Sequence, residues 1–233
     1  MEFRGRRSDE FGLALEAMPL REAPAMLGET VQVAGLSGTV LVTDGSFRDV
    51  TVTARFLLAD GARIRDIHAW LSGEGLLRFS DEPDLCYEAR VLRPFRHGPL
   101  LRRMDLRSGS IAFSCRPFRV LADPAPEIGL NESGARLFNP GTAPALPRVT
   151  VLGDSDFTVT LGGETLAFFG VEAGVVVDSE RMDALSLDGS ALRNDWISGQ
   201  PWQLAPGAFT VRWEAGEGGS VQGLRILPRW RWF

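Results

Sequence analysis

The chain has 233 residues, with 44% hydrophobic and 24% charged side chains and a net charge of -5. These values are typical of a globular protein of one large or two small domains, and the acidic balance argues against a general nucleic-acid-binding protein. All 25 basic residues are arginine, which codon usage in a GC-rich genome explains more simply than an interface role. No window approaches the ~20 apolar residues of a membrane-spanning helix, and Asp9, Glu10 and Glu16 interrupt any secretory signal.

The first half of the chain is predicted to be mostly β with one helix. Residues 46–56 alternate apolar and polar side chains, as a half-buried strand does. Residues 62–71 carry apolar side chains at helical spacing and are followed by Gly73, which favours a helix that ends there. Two further strands are predicted around residues 85–91 and 111–115, where apolar side chains again alternate.

A change of composition predicts a domain boundary near the middle of the chain. Residues 122–126 contain two prolines, and such a segment cannot lie in a central strand. We therefore predict a first domain over residues 1–123 and a second over residues 136–233, with the acidic excess in the second. The strands predicted in the second domain are residues 148–152, 157–161, 175–177, 209–213 and 221–227. Their spacing favours a compact β-sandwich.

The sequence shows no catalytic constellation. It has two histidines, of which His68 is predicted to pack in or near the core and His97 lies in a turn-like stretch. No nucleophile elbow or phosphate-binding loop is present. Cys86 and Cys115 do not form a disulfide framework, and the alternation around Cys115 predicts a buried thiol. We therefore expect a protein without enzymatic activity or cofactor that is made in a reducing cytoplasm.

The second half of the sequence contains two clusters of acidic residues. Asp154 and Asp156 lie between two predicted strands, and this spacing could hold a hard cation. Acidic turns between strands are common, so we predict no metal site there. Asp178, Glu180 and Asp183 form the second cluster, which is interpreted as solvated surface.

The densest positive charge lies in residues 90–107, whose only acidic residue is Asp105. Residues 94–104 do not alternate like a strand, so the segment is predicted to be an extended loop or arm. It either contacts an acidic surface of a partner or another subunit, or it is simply solvated. The candidate contact residues are Arg90, Arg93, Arg96, Arg102, Arg103 and Arg107.

Most of the six tryptophans lie near the end of the chain. They are Trp196, Trp202, Trp213, Trp230 and Trp232. Packing in the core of a small sandwich explains most of them, whereas an exposed aromatic face would indicate a sugar-binding protein.

A series of short segments, in order along nearly the whole chain, resembles the distal tail protein family of siphophages. In the first half these segments are residues 8–13, 47–53, 66–75, 87–89 and 113–118. In the second half they are residues 139–142, 147–151, 177–180, 204–207 and 228–232. Each segment alone is short, and their order and spacing make the set specific.

The resemblance implies a mainly β protein of two domains. The first would be similar to the family's belt domain, a split β-barrel with one helix and an arm at residues 90–107. Its copies would close into a hexameric ring through head-to-tail interfaces. The second would be similar to the family's galectin-like β-sandwich.

The same resemblance implies a structural virion protein at the tip of a long non-contractile tail, assembled in the bacterial cytoplasm. In the family the ring joins the tail tube to the tail-tip hub and often carries receptor-binding proteins. The implied partners are therefore the tail tube protein, the hub protein, the tape measure protein and receptor-binding proteins. Lectin-like sugar binding by the sandwich stays as the alternative, because a fold does not by itself imply a function.

Overall fold

Alternation of apolar and polar side chains gives the first half long strands that are buried on one face. The structure is a computed structural model that describes residues 1–59, 63–99 and 106–233. In the strand Val50–Ala59, Val52 and Phe56 are fully buried, whereas Thr51 and Thr53 on the opposite face are exposed. The predicted strand is thus confirmed, although it begins at Val50 and extends beyond residue 56.

The chain divides into two compact units, Met1–Ala122 together with Phe233, and Asp123–Trp232. The elements of the first unit are β1 (Glu2–Phe3), β2 (Arg6–Arg7), β3 (Leu13–Leu15), β4 (Glu29–Val31), β5 (Val40–Val42), β6 (Val50–Ala59), α1 (Ile64–Trp70), β7 (Glu74–Arg78), β8 (Leu85–His97) and β9 (Leu106–Leu121). An antiparallel sheet runs in the order β2-β1-β7-β8-β9-β6-β3, and β4 pairs with β5 in a separate two-stranded sheet.

Helix α1 packs its apolar side chains on the core of the first unit. Ile67 and Trp70 are buried, the Trp70 ring stacks on Phe11 at 4.5 Å, and its Nε1–H donates to the Phe3 carbonyl oxygen at 2.8 Å. The predicted helix is confirmed over Ile64–Trp70. His68 is exposed, and its predicted place in or near the core is wrong because it lies on the solvent side of the helix.

The second unit consists of two antiparallel sheets that share one long strand. The strands of these sheets are β10 (Ile128–Leu130), β11 (Ala135–Asn139), β12 (Arg148–Leu161), β13 (Glu164–Val171), β14 (Val175–Asp178), β15 (Asp183–Ser186), β16 (Ile197–Ser198), β17 (Gly207–Ala215) and β18 (Ser220–Leu227). The short segment β19 (Arg231–Trp232) belongs to neither of the two sheets. One sheet has the order β10-β18-β12-β14-β15 and the other the order β11-β17-β12-β13-β16. The strand β10 lies in the stretch that the sequence-based division left between the two domains.

The shared strand β12 corrects the prediction of a turn at residues 153–156. The backbone stays extended through this stretch, and irregular pairing there passes the strand from one sheet to the other. A Cβ at Gly153 would lie 2.4 Å from the Ser220 carbonyl oxygen, so the close strand approach requires glycine. Ser155 takes a φ of 62°, and this left-handed backbone conformation changes the direction of the strand. The two predicted strands are therefore one.

The mainly β fold with one helix confirms the expected fold class. Besides α1, the helical segments among the described residues are two 3₁₀ turns, at Ser8–Phe11 and Asn194–Trp196. No described helix has the length and apolar character needed to cross a membrane.

Candidate functional site

The described parts of the basic segment, residues 90–99 and 106–107, lie mostly in two antiparallel strands rather than in a loop. Residues 94–97, which were predicted to be irregular, complete strand β8, and β9 pairs with β8 along their length. The pairing shifts register at several points, including between Arg93 and Arg96. These bulges, with Pro94 between them, remove the alternation by which a strand is recognised. Arg102 and Arg103 lie outside the described residues.

Strand pairing places three of the predicted arginines on the face of the sheet opposite the core. Arg90 pairs with Ser114, Arg93 with Ala112, and Arg96 with Ser110. All three arginines are exposed. Their partners on β9 have small side chains, so the long arginine side chains extend beyond the β9 surface between them.

The sheet adds Arg55 to this group from the other side of β9. Arg55 of β6 pairs with Ser110, which also pairs with Arg96, so both arginines flank the same serine. We call Arg55, Arg90, Arg93 and Arg96, with the floor of Ser110, Ala112 and Ser114, the basic strip. Arg55 occupies a polar position in the alternation of residues 46–56, which places it away from the core, but the alternation does not indicate which strand lies beside it.

Arg107 does not belong to the basic strip. Its partner on β6 is Leu58, which is fully buried, so Arg107 lies at the end of the core-facing side of β9. Of the six candidate arginines, the structure therefore brings Arg90, Arg93 and Arg96 together and separates Arg107 from them.

Within the described ranges, the basic strip has a carboxylate partner only at its Arg90 end. The Arg90 Nη2 atom lies 3.5 Å from the Asp49 Oδ2 atom, which also accepts a hydrogen bond of 2.8 Å from the Ser114 hydroxyl. Both partners of the ion pair are exposed, so it adds little stability. Among the described residues, no carboxylate forms an ion pair with Arg55, Arg93 or Arg96.

The core side of the hairpin gives the basic strip a rigid support. Phe95 is 3% exposed and covers Gly109 of the neighbouring strand, where a Cβ would come within 2.6 Å of the ring. The ring centroid of Phe95 lies 5.9 Å from that of His68 and 6.3 Å from that of His97. The strip is therefore a surface on a packed sheet.

The described residues provide no recognisable catalytic or metal centre. His68 and His97 lie with ring centroids 6.3 Å apart, and no group of three metal-ligating side chains forms within the described ranges. Burial raises the pKa of the Cys86 thiol to about 11 and that of Cys115 to about 12, so neither is a reactive thiolate at neutral pH. The burial predicted for Cys115 is confirmed.

The acidic clusters have structural roles. The Asp154 carboxylate accepts from the Ser220 hydroxyl at 2.8 Å, and Asp156 accepts from the Gly170 amide at 2.9 Å. Asp178 is 3% exposed and accepts two hydrogen bonds from Arg229, at 2.7 and 3.0 Å. The interpretation of Asp178 as solvated surface is wrong, because its carboxylate is buried against Arg229. The local sequence does not indicate this partner, which lies far along the chain.

The tryptophans of the second unit are less buried than predicted. Trp202 and Trp230 are buried, but Trp196, Trp213 and Trp232 are partly exposed. Trp196 lines a shallow hollow with the polar side chains of Glu172, Ser186, Asp188 and Arg193. The Arg193 guanidinium lies over the Trp196 ring, 5.1 Å from its centroid.

Comparison with known proteins finds a likeness among solved structures. No protein-family model matches the chain, and no curated protein matches it. Among solved structures, the chain resembles the SPP1 Dit (gp 19.1) protein, described as a paradigm of the hub adsorption apparatus in phages that infect Gram-positive bacteria. The TM-score is 0.75 at 17% sequence identity, covering 99% of this chain and 98% of that one. Over nearly its whole length, therefore, this chain has the fold of a phage hub protein.

Proposed function

We propose that this chain is a structural subunit of a phage tail tip. The observation that carries the proposal is the likeness to SPP1 Dit, which extends over almost the full length of both proteins. A fold can host several functions, so the surface of the chain also matters. The basic strip is an exposed, rigidly supported set of charges, as a contact surface for another protein requires.

In this role the first unit forms a ring of six copies that joins the tail tube to the tail-tip hub. A closed ring requires one surface of each copy to bind a different surface of the next. The second unit is an attached sandwich domain, and receptor-binding proteins are the expected further partners. The basic strip supplies one of the contacts within the ring or with the tube.

Native mass spectrometry of the purified full chain tests the ring. We expect hexamers, or a mixture of oligomers that shifts with dilution, and negative-stain micrographs should show closed rings. A chain that stays monomeric at high concentration and low salt contradicts the proposal. So does a stable twofold dimer.

Substitution of strip arginines tests whether the strip takes part. Arg93→Ser combined with Arg96→Ser should leave the melting temperature nearly unchanged, because exposed substitutions cost within about 0.5 kcal/mol. Assembly should weaken in the same way as it does at high salt. The matched control is Arg136→Ser with Arg212→Ser in the second unit, where both arginines are also exposed. Loss of folding in the strip variant would show that these arginines are structural.

Carbohydrate binding by the second unit is the second candidate function. The hollow beside Trp196 favours it, because a partly exposed tryptophan next to carboxylates and an arginine can stack on a sugar ring and hydrogen-bond its hydroxyls. A glycan array with the full chain, compared with Trp196→Ala, separates the candidates. Binding that disappears in the variant supports this function, and an array without binding removes it.

A further inference from the structure

One sheet of the second unit carries a groove of about 520 Å³ on the face away from the core. Val151 of β12 and Ile226 of β18 are fully buried. Because successive residues of a strand point to opposite faces, their neighbours Thr150 and Arg225 lie on the outer face. Arg148 lies two residues before Thr150 and shares that face. All three line the groove, whose volume is within the range of about 300–1,000 Å³ that small-molecule sites have.

The groove is recessed and partly apolar. Val176 of β14 pairs with Thr150 and therefore lies on the same outer face, yet it is only 3% exposed. The side chains of Leu152, Leu187 and Leu227 also line the groove. A ligand can therefore cover apolar surface there as well as meeting polar groups.

Strand pairing brings the two arginines of the groove together. Arg225 pairs with Thr150, and Arg148 pairs with Leu227, so the two arginines occupy diagonal positions on adjacent strands. Diagonal neighbours in an antiparallel sheet lie about 7–8 Å apart, which long side chains can bridge. Both guanidinium groups can therefore reach the same ligand group.

The charge of the arginine pair is not neutralised within the chain. Arg148 and Arg225 are exposed, and neither forms an ion pair with any carboxylate in the part of the chain that the structure describes. Asp178 pairs with Arg148 in strand register, but its carboxylate is held by Arg229. Two neighbouring cations repel each other, and an anion between them would remove that repulsion.

The donors of the groove favour a phosphoryl group over a carboxylate. A guanidinium group offers a planar fork of donors, and one fork is enough to match the two oxygens of a carboxylate. A phosphoryl group has three acceptor oxygens. Two forks from Arg148 and Arg225, with the hydroxyl of Thr150 as a further donor, suit this larger set of acceptors.

Glu127 limits the charge that a ligand can carry elsewhere. It is exposed, lines the groove and has no ion-pair partner among the described residues. The pairing of Ile128 with Ile226 places Glu127 beside Leu227. A carboxylate accepts hydrogen bonds from hydroxyl groups and repels a second anion. The groove therefore suits a ligand with one anionic group and a hydroxylated body, and not a polyanion such as nucleic acid.

We propose that this groove is a binding site for a sugar phosphate. The phosphoryl group lies between Arg148 and Arg225, the sugar ring packs on the apolar side chains of the groove, and a sugar hydroxyl donates to Glu127. The site is distinct from the hollow beside Trp196, because the two sets of lining residues share only Leu187. The inference does not depend on ring formation.

Isothermal titration calorimetry of the full chain with glucose 6-phosphate tests the site. We expect one site per chain, with weaker binding of inorganic phosphate and of glucose. Arg148→Ser and Arg225→Ser should each weaken the binding of glucose 6-phosphate by at least about 10-fold, because each removes charge-assisted hydrogen bonds. The matched control is Arg136→Ser with Arg212→Ser, which are also exposed and diagonal, across β11 and β17, and this variant should bind like the unmodified chain.

Thermal unfolding shows whether the variants fold. Without ligand, Arg148→Ser and Arg225→Ser should unfold at nearly the same temperature as the unmodified chain, because exposed substitutions have small effects. Glucose 6-phosphate should raise the melting temperature of the unmodified chain, since a ligand that binds only the folded state stabilises it. At the same concentration, the two variants should show a smaller rise.

Four results would overturn the inference. The first is no saturable binding of glucose 6-phosphate at millimolar concentration. The second is equal affinity for inorganic phosphate, which would mean that the groove does not contact the sugar. The third is binding that Trp196→Ala abolishes and the arginine variants retain, which would place the ligand in the hollow. The fourth is tighter binding of a polyglutamate peptide that depends on Arg148 and Arg225, which would assign the groove to an acidic peptide. None of these results bears on the ring, which native mass spectrometry tests separately.

Discussion

At the scale of single residues, buried polar side chains satisfy the backbone where the second unit turns. Asn139 is 1% exposed; its amide donates to the Leu204 carbonyl oxygen at 2.9 Å, and its Oδ1 accepts from the Gly141 amide at 2.8 Å. The next residue but one cannot carry a side chain, because a Cβ at Gly141 would lie 2.3 Å from the Arg231 carbonyl oxygen. Asn139 therefore fixes a turn that local propensity alone does not define.

Asn139→Ala should destabilise the chain by about 1–3 kcal/mol, because it leaves the buried Gly141 N–H without its partner and removes one of the two hydrogen bonds that the Leu204 carbonyl oxygen accepts. Urea unfolding followed by circular dichroism measures this. The control is Asn131→Ala, whose side chain is exposed and which should change the free energy of unfolding by less than about 0.5 kcal/mol. Equal stability of the two variants would contradict the structural role of Asn139.

The buried Asp178 makes the free energy of unfolding depend on pH in the acidic range. Burial alone raises its pKa, but the hydrogen bonds and charge of Arg229, with the amides of Arg181 and Glu180, outweigh burial and hold the pKa of Asp178 below its usual value. A carboxyl with a lowered pKa in the folded state stabilises the fold above the unfolded-state pKa of about 3.9. That contribution is lost as the pH falls through the folded value.

Asp178→Asn should therefore lower stability at pH 7 and should reduce the further loss of stability on acidification below about pH 4. Thermal unfolding of both chains between neutral and acidic pH measures the two slopes. Asp195→Asn, at an exposed position, is the control and should follow the unmodified chain. Parallel curves for Asp178→Asn and the unmodified chain would show that this ion pair does not govern the acid response.

At the scale of elements, the β8–β9 hairpin depends on contacts across its strands. Phe95 replaces a missing side chain at Gly109, since its ring fills the space above that glycine. An aromatic residue beside a glycine in this way supports a strand that would otherwise be weak. The hairpin can therefore continue past its bulges and hold the basic strip.

Gly109→Val should destabilise the first unit by about 1–3 kcal/mol, because the added side chain has no room beneath the Phe95 ring. Gly98→Ala is the matched control in the same hairpin, since the nearest atom to its Cβ would be 3.6 Å away. Chemical unfolding of the full chain measures both. A Gly109→Val variant as stable as Gly98→Ala would mean that the packing of Phe95 on Gly109 is not tight.

At the scale of the whole molecule, residues from both ends of the sequence complete the first unit. Phe233 clusters with Met1–Ala122, and its ring centroid lies 5.3 Å from those of Phe47 and Phe118. Its carbonyl oxygen accepts a hydrogen bond from Arg119. A fragment that ends at Ala122 would therefore lack one ring of this partly exposed aromatic cluster.

Phe233→Ala should lower the stability of the first unit by about 1–3 kcal/mol, since each aromatic pair contributes about 0.5–1.5 kcal/mol. We expect differential scanning calorimetry to resolve two transitions, of which the variant shifts one. Phe138→Ala, whose ring is 62% exposed in the second unit, should shift neither. A Phe233→Ala trace that overlays the unmodified one would contradict the role of this residue.

The sequence by itself determined the features that depend on neighbours along one strand or helix. Alternation identified the buried face of β6, the burial of Cys115 and the exposed side of Arg55, because successive residues of a strand point to opposite faces. Only the tertiary structure decided the rest. The bulges of β8, the passage of β12 between two sheets and the pairing of Asp178 with Arg229 depend on contacts between segments that are distant in sequence. The basic strip shows the same physical reason. Arg55 and Arg96 lie on either side of Ser110 because β6 and β8 both pair with β9 at that residue, and the pairing register between strands is not encoded in the periodicity of either one.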